Sequence, residues 1–100
     1  MAIVTLRYWA AARDAAGQAE EQVSGRTLAE ALAAGLASAG ARDSAGLASA
    51  GARDSAGRLE LVLRRCSLLI DGEPVGIRPH DSVILADGAI VEVLPPFAGG

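Results

Sequence analysis

The chain is 100 residues long, 51% apolar, and carries a formal charge of −3. That length is expected to form one domain, 1–100, with a modest core, and the acidic balance weighs against nucleic acid or an anionic membrane as partner. The single cysteine, Cys66, excludes an internal disulfide; no apolar run nears the roughly 20 residues that span a bilayer; and Met1-Ala2-Ile3-Val4-Thr5 lacks the charged and apolar regions of a secretion signal, so a cytoplasmic protein is expected.

Ile3 to Trp9 alternates, with Val4, Leu6 and Tyr8 on one face and Thr5 and Arg7 on the other, which predicts a strand with one buried side. Ala10 to Ala16 is alanine-rich and stops at Gly17, as a short helical turn or loop would. Glu20 to Val23 reads as a second strand closing an N-terminal hairpin. Thr27-Leu28-Ala29-Glu30 is a capping box: the Thr27 hydroxyl is expected to accept from the Glu30 N–H, and Glu30 to reach back to the Thr27 N–H. Leu28, Ala31, Leu32 and Leu36 then recur at helical spacing.

An internal repeat follows. Leu36 to Gly46 reads LASAGARDSAG, and Leu47 to Gly57 repeats the same eleven residues. Two copies this poor in large apolar residues cannot build a solenoid. A tandem duplication accounts for them, and eleven residues are close to three helical turns, so a second copy keeps the helix face nearly in phase. Gly35, Gly40, Gly46, Gly51 and Gly57 each cost a helix about 1 kcal/mol relative to alanine. Region 36–57 is therefore expected to be the least stable part of the molecule, a helix fraying into a loop.

Leu59, Val62, Leu63 and Cys66 form a second helical stripe, which makes Cys66 a small core hydrophobe. Ser67 to Ile70 is a short strand, Asp71-Gly72 a turn, Pro74 to Ile77 an extended piece, Val83 to Leu85 a further strand and Asp87-Gly88 another turn. Ile90 to Leu94 is the last strand, with Val91 and Val93 inward, and Pro95 ends its pairing because it has no N–H to give. Helices grouped between strands predict an α+β fold with the helices on one face of the sheet. His80 is a turn residue, since one histidine makes no metal site. Glu20 and Glu21 read as solvated surface, and Tyr8 and Trp9 as either core or interface.

The end of the chain carries the functional signal. Pro95 to Gly100 is an arm of six residues, at most roughly 20 Å when extended. Pro95 and Pro96 stiffen its base, and Phe97 offers an aromatic anchor. Ala98, Gly99 and Gly100 are narrow enough to enter a channel in another protein, where a larger side chain would block. The group that such an arm would present is the Gly100 carboxylate, with almost no steric cover.

Val4–Arg13 (VTLRYWAAAR), Val62–Gly72 (VLRRCSLLIDG) and Asp87–Gly100 (DGAIVEVLPPFAGG) together resemble the MoaD/ThiS family of sulfur carriers, on the side of the molybdopterin synthase small subunit in its actinobacterial form. The resemblance runs over the whole chain apart from one copy of the repeat. It implies a ubiquitin-like β-grasp fold, a mixed sheet of about five strands with helices on one face. It further implies that an adenylating, E1-like enzyme uses ATP to attach AMP to the Gly100 carboxylate, and that a sulfur donor then leaves a thiocarboxylate. The tail, Pro95, Pro96, Phe97, Ala98, Gly99 and Gly100, would insert into the molybdopterin synthase large subunit and deliver sulfur to cyclic pyranopterin monophosphate. On this view the chain is no enzyme alone, holds no cofactor or metal, and needs neither nucleic acid nor membrane. The alternatives are a sulfur carrier for thiamine (thiazole) or cysteine biosynthesis, and a β-grasp module that binds or modifies proteins without sulfur chemistry.

Overall fold

In the computed structural model, residues 2–44 and 55–96 are described, with side chains at 2–41 and 57–96. The elements run β1 (Ile3–Tyr8), α1 (Ala10–Ala16), β2 (Glu20–Ser24), α2 (Leu28–Ser44), α3 (Ser55–Leu63), β3 (Ser67–Ile70), β4 (Glu73–Pro74), a 3-10 turn at His80–Ser82, and β5 (Ile90–Leu94). The five strands form one mixed sheet in the order β2-β1-β5-β3-β4. The helices cover one face of it, giving the expected α+β, ubiquitin-like β-grasp arrangement.

The two ends of the chain meet in the middle of this sheet. β1 and β5 run parallel, with Leu6 opposite Val91 and Tyr8 opposite Val93. β5 is antiparallel to β3 on its other side, with Val93 opposite Leu68. The alternation seen in β1 and β5 puts Val4, Leu6, Tyr8, Val91 and Val93 on the helix-covered face, where all are buried. Full burial of a side chain such as Leu6 contributes about 1.5–3 kcal/mol. On the open face Arg7 lies between Glu20 (3.3 Å) and Glu92 (3.5 Å), a cross-strand ion ladder of the kind that stabilises a solvated sheet face modestly.

The start of α2 forms a modified capping box. The Glu30 N–H donates to Thr27 Oγ1 (3.2 Å), as expected, but Glu30 Oε1 accepts from the Arg26 N–H (2.8 Å) and not from Thr27. The chain there is held from the side as well: the Leu28 N–H donates to the Val83 carbonyl and the Leu85 N–H to the Arg26 carbonyl, both at 2.9 Å. This corrects the strand expected at Val83 to Leu85. Val83 and Leu85 are buried and Ile84 is exposed, as alternation requires, but their one neighbour is the helix entry, so the pairing is a single bridge, Thr27 to Ile84. The extended piece expected at Pro74 to Ile77 is likewise shorter, reduced to Glu73–Pro74. It is joined to β3 through Asp71 and Gly72, whose φ values of 51° and 87° make the left-handed hairpin turn that Asp-Gly favours.

Helix α2 runs through Gly35 and Gly40 to Ser44, so glycine does not end it where the first repeat copy begins. Its buried stripe is Leu28, Ala31, Gly35 and Ala39, with Leu32 and Leu36 beside it. Gly35 lies where the helix crosses β1: a Cβ there would stand 2.6 Å from Tyr8 Oη and 2.8 Å from Leu6 Cδ1. The absent side chain is what lets helix and sheet approach. Residues 45–54, most of the second copy, lie outside the described residues; the copy's last three positions, Ser55 to Gly57, begin α3. Helix α3 ends at Leu63, so Cys66 sits in the turn after it and packs against the core from there.

Two outcomes follow for stability. Gly35→Ala gains about 1 kcal/mol of helix propensity but crowds Tyr8 and Leu6 at a cost of about 1–3 kcal/mol, so denaturant unfolding should show a net loss of up to about 2 kcal/mol; a stabilised variant would contradict the crossing. Deleting residues 47–57 joins Gly46 to Arg58 and puts Ser44-Ala45-Gly46 in the place of Ser55-Ala56-Gly57 ahead of α3. Among the α2 side chains described, which run to residue 41, the last buried one is Ala39, so the shortened chain should retain its circular dichroism spectrum and a cooperative thermal transition. Loss of that transition would mean that the second copy carries part of the core.

Candidate functional site

The strand that leads to the C-terminal arm is the most enclosed in the sheet. Val91 and Val93 are fully buried, β5 is flanked by β1 and β3, and the Trp9 N–H donates to the Val93 carbonyl at 3.1 Å. Pro95, immediately beyond, is buried, while Pro96 is exposed. The chain therefore leaves the fold between these two prolines, and Pro95 both ends the ladder and seats the base of the arm. Phe97, Ala98, Gly99 and Gly100, the remaining expected site residues, lie outside the described residues.

Beside this exit is a surface groove of about 550 Å³, walled by Ala11 of α1, Leu61 and Val62 of α3, Arg64 and Arg65 just after α3, and the two prolines. Leu61 is 61% exposed. Arg64 is paired with Glu60 one helical turn back, at 3.0 Å, whereas Arg65 has no ion pair among the described residues. Sequence reasoning did not single out these positions. Leu61 falls between the buried positions of an amphipathic helix, and the packing of α3 against α1 and α2 is what brings it and the arginines into one groove with Pro95 and Pro96.

The structure separates the two neighbouring aromatics. Tyr8 is buried at 3% exposure, while Trp9 is 45% exposed at the same end of the sheet as Pro95. Parallel pairing of β1 and β5 is the cause, because it brings their C-terminal ends together. Of the two glutamates read as solvated surface, Glu20 is exposed. Glu21 is not. It points under α2 from β2 and accepts from Gln18 Nε2 and, at 3.3 Å, from Ser38 Oγ. The correction has a simple cause: Glu21 is the partner of Leu6 in the β1–β2 register, on the covered face.

Cys66 is half-buried, and its thiol donates to the Val62 carbonyl at 3.1 Å. Burial pushes its pKa up to about 11 from the ordinary 9.0, the direction that keeps it a neutral thiol and a poor nucleophile. His80 is exposed in its turn. Among the described residues there is no group of three or more His, Cys, Asp or Glu that could hold a metal ion, and no helix long and apolar enough to cross a membrane.

The family model described as "ThiS family" matches residues 6–100. No protein of curated function matches the chain. Among solved structures it is similar to small archaeal modifier protein 1 (SAMP1) from Methanosarcina acetivorans, at 22% identity and a TM-score of 0.68, over 100% of this chain and 98% of that one. It is similar to SAMP1 from Haloferax volcanii at 19% identity and a TM-score of 0.65, over 98% and 99% of the two chains. It is also similar to a chain in the complex of subunits 1 and 2 of molybdopterin-converting factor from Helicobacter pylori, at 16% identity and a TM-score of 0.55, over 98% and 99%. At these identities the likeness is one of fold.

The raised Cys66 pKa has a measurable consequence. The folded state holds the thiol proton more tightly than the unfolded chain, so this contribution to stability is complete below about pH 9 and is lost as pH rises toward about 11. Alkylation of the native protein should be slow at pH 8 and accelerate only as pH approaches 11, while the unfolded chain reacts at the rate of a free thiol. Equal rates at pH 8 would contradict the burial of Cys66.

Proposed function

Since the chain belongs to the ThiS family, with the sulfur-carrier and ubiquitin-like modifier functions of that superfamily, we propose that it acts through the C-terminal carboxylate of Gly100. The observation that carries this reading is the exit geometry: a strand locked in the middle of the sheet, a buried Pro95, an exposed Pro96, and only four residues beyond. Those four extend at most about 13 Å, so Gly100 stays close to a rigid base while its narrow end reaches into another protein. The chain supplies the carrier and the partner supplies the catalytic site.

The chemistry follows from the electrophile. A carboxylate oxygen of Gly100 attacks the α-phosphorus of ATP in the adenylating enzyme, and pyrophosphate leaves. The acyl-adenylate that results has AMP as a good leaving group. Sulfur at the sulfide level, delivered by a donor, attacks the Gly100 carbonyl carbon and AMP leaves, giving a thiocarboxylate; that sulfur then bonds to an acceptor in a second partner, and water cleaves the acyl carbon–sulfur bond and restores the carboxylate. Pro95, Pro96, Phe97, Ala98 and Gly99 position the reacting end. Cys66 takes no part, since its thiol is neutral and lies in a turn packed against the core.

A broad carrier reading is preferred to the specific one of a molybdopterin synthase small subunit. The ThiS match favours a sulfur carrier in general, thiazole or cysteine biosynthesis included, and the highest TM-scores quoted above are with structures titled as modifier proteins. In a modifier the same acyl-adenylate would be passed to a lysine of another protein; this chain has no lysine and so offers no side-chain amine for its own extension. Delivery to cyclic pyranopterin monophosphate in a large subunit remains the specific destination that the H. pylori complex makes worth testing.

Incubation with ATP, the E1-like enzyme of the same cell and a sulfur donor should give a mass gain equal to the exchange of one oxygen for sulfur. Deleting Gly100 or adding a C-terminal tag should abolish it. A folded protein that gains no sulfur but appears on lysines of other proteins would assign the modifier role, and full loading of a tagged terminus would refute the mechanism altogether.

A further inference from the structure

On the carrier reading, the few residues from Pro96 to Gly100 make the surface around the exit an obligatory contact. From Pro96 outward the chain reaches about 13 Å at most, so a protein that takes Gly100 into a buried site must bring its channel mouth against the base of the arm. The base has a distinct chemistry. Leu61 stands 61% exposed on α3, Arg64 and Arg65 follow it, and the groove they line runs up to Pro95 and Pro96. The formal charge of the chain is −3, yet the one acid paired at this groove is Glu60, which Arg64 engages across an exposed helix turn; such a pair contributes only about 0.3–0.5 kcal/mol and yields readily to a better partner. Arg65 has no ion pair among the described residues.

We infer that the Leu61–Arg64–Arg65 groove beside Pro96 is the docking collar for the channel mouth of the activating enzyme, and that this mouth is rimmed by carboxylates around an apolar socket for Leu61. The inference rests on the carrier reading above. It adds that recognition is shared: the tail carries the reacting group, and α3, which no tail pattern reveals, carries affinity. An exposed leucine beside cations suits a partner with a small apolar socket and an acidic rim, because charges at a rim steer the encounter while a central apolar anchor holds it.

The test uses the full chain with the E1-like adenylating enzyme of the same cell and ATP, reading pyrophosphate exchange as KM and kcat for this protein. Leu61→Ala with Arg65→Glu should raise KM about tenfold or more and leave kcat within about twofold. Arg65→Lys should stay near wild type, and the Arg65→Glu defect should shrink as salt screens the rim charges. Both side chains are exposed, so circular dichroism should be unchanged. The chain lacking Gly100 should still inhibit exchange by competing for the collar, and should stop doing so when it also carries the Leu61→Ala and Arg65→Glu changes. Wild-type exchange with an unaltered KM in the double variant would overturn the collar and leave the carrier reading standing. No exchange with the wild-type chain would remove both. A concentration-dependent dimer that the double variant abolishes without changing KM would assign the groove to a second copy of this chain and overturn the inference.

Discussion

The parallel pairing of β1 with β5 is the contact on which the rest of the molecule depends. It joins the first and last strands, buries Leu6 against Val91 and Tyr8 beside Val93, and puts β5 in the interior of the sheet. Parallel neighbours need a crossover, and α1, β2, α2, α3, β3 and β4 all fall between these strands in sequence. The pairing cannot form early from local contacts, and once formed it closes the fold. It also fixes the base of the tail: the last β1–β5 pair is Tyr8 with Val93, and the buried Pro95 lies two residues beyond. A carrier whose tail sprang from an edge strand would have a loose base; here the base is fixed from both sides.

Charge and shape at the exit divide the work between the tail and the body. The tail is narrow because it ends in alanine and glycines, and the body beside it offers an apolar and cationic groove formed by α3. The open face of the sheet differs, with Arg7 neutralised between Glu20 and Glu92. The exposed Trp9 belongs to the same end of the sheet as the exit. A partner approaching that end meets the exposed Trp9, and Leu61 in the groove beside Pro96.

Much of this was legible in the sequence. The alternation in β1 and β5, the Asp-Gly turns and the Thr27–Glu30 cap are local signals, and local physics decides them. What escaped was non-local. Val83 to Leu85 alternates like a strand, but whether it has a neighbour depends on where Thr27 lands. Glu21 looks solvated until its register with Leu6 is known. Gly35 reads as a helix breaker until Leu6 and Tyr8 are seen to need the space. Leu61 carries no motif, nothing local marks Arg64 and Arg65 as a surface pair, and their place at the exit comes from the packing of α3 on α1 and α2. The duplicated eleven residues illustrate the converse: the repeat is conspicuous in the sequence, yet among the described α2 side chains the last buried one is Ala39, four residues into the first copy.

The central claim is that the reacting atom is the carbonyl carbon of Gly100 and that Cys66, the one thiol, is structural. Trypsin cuts after Arg65 but not between Arg78 and Pro79, so the peptide Cys66–Gly100 carries both candidates, one at each end. Fragmentation of that peptide after loading with sulfur should place the added sulfur in the C-terminal fragments that contain Gly100. Sulfur found instead in the N-terminal fragments with Cys66 would contradict the account.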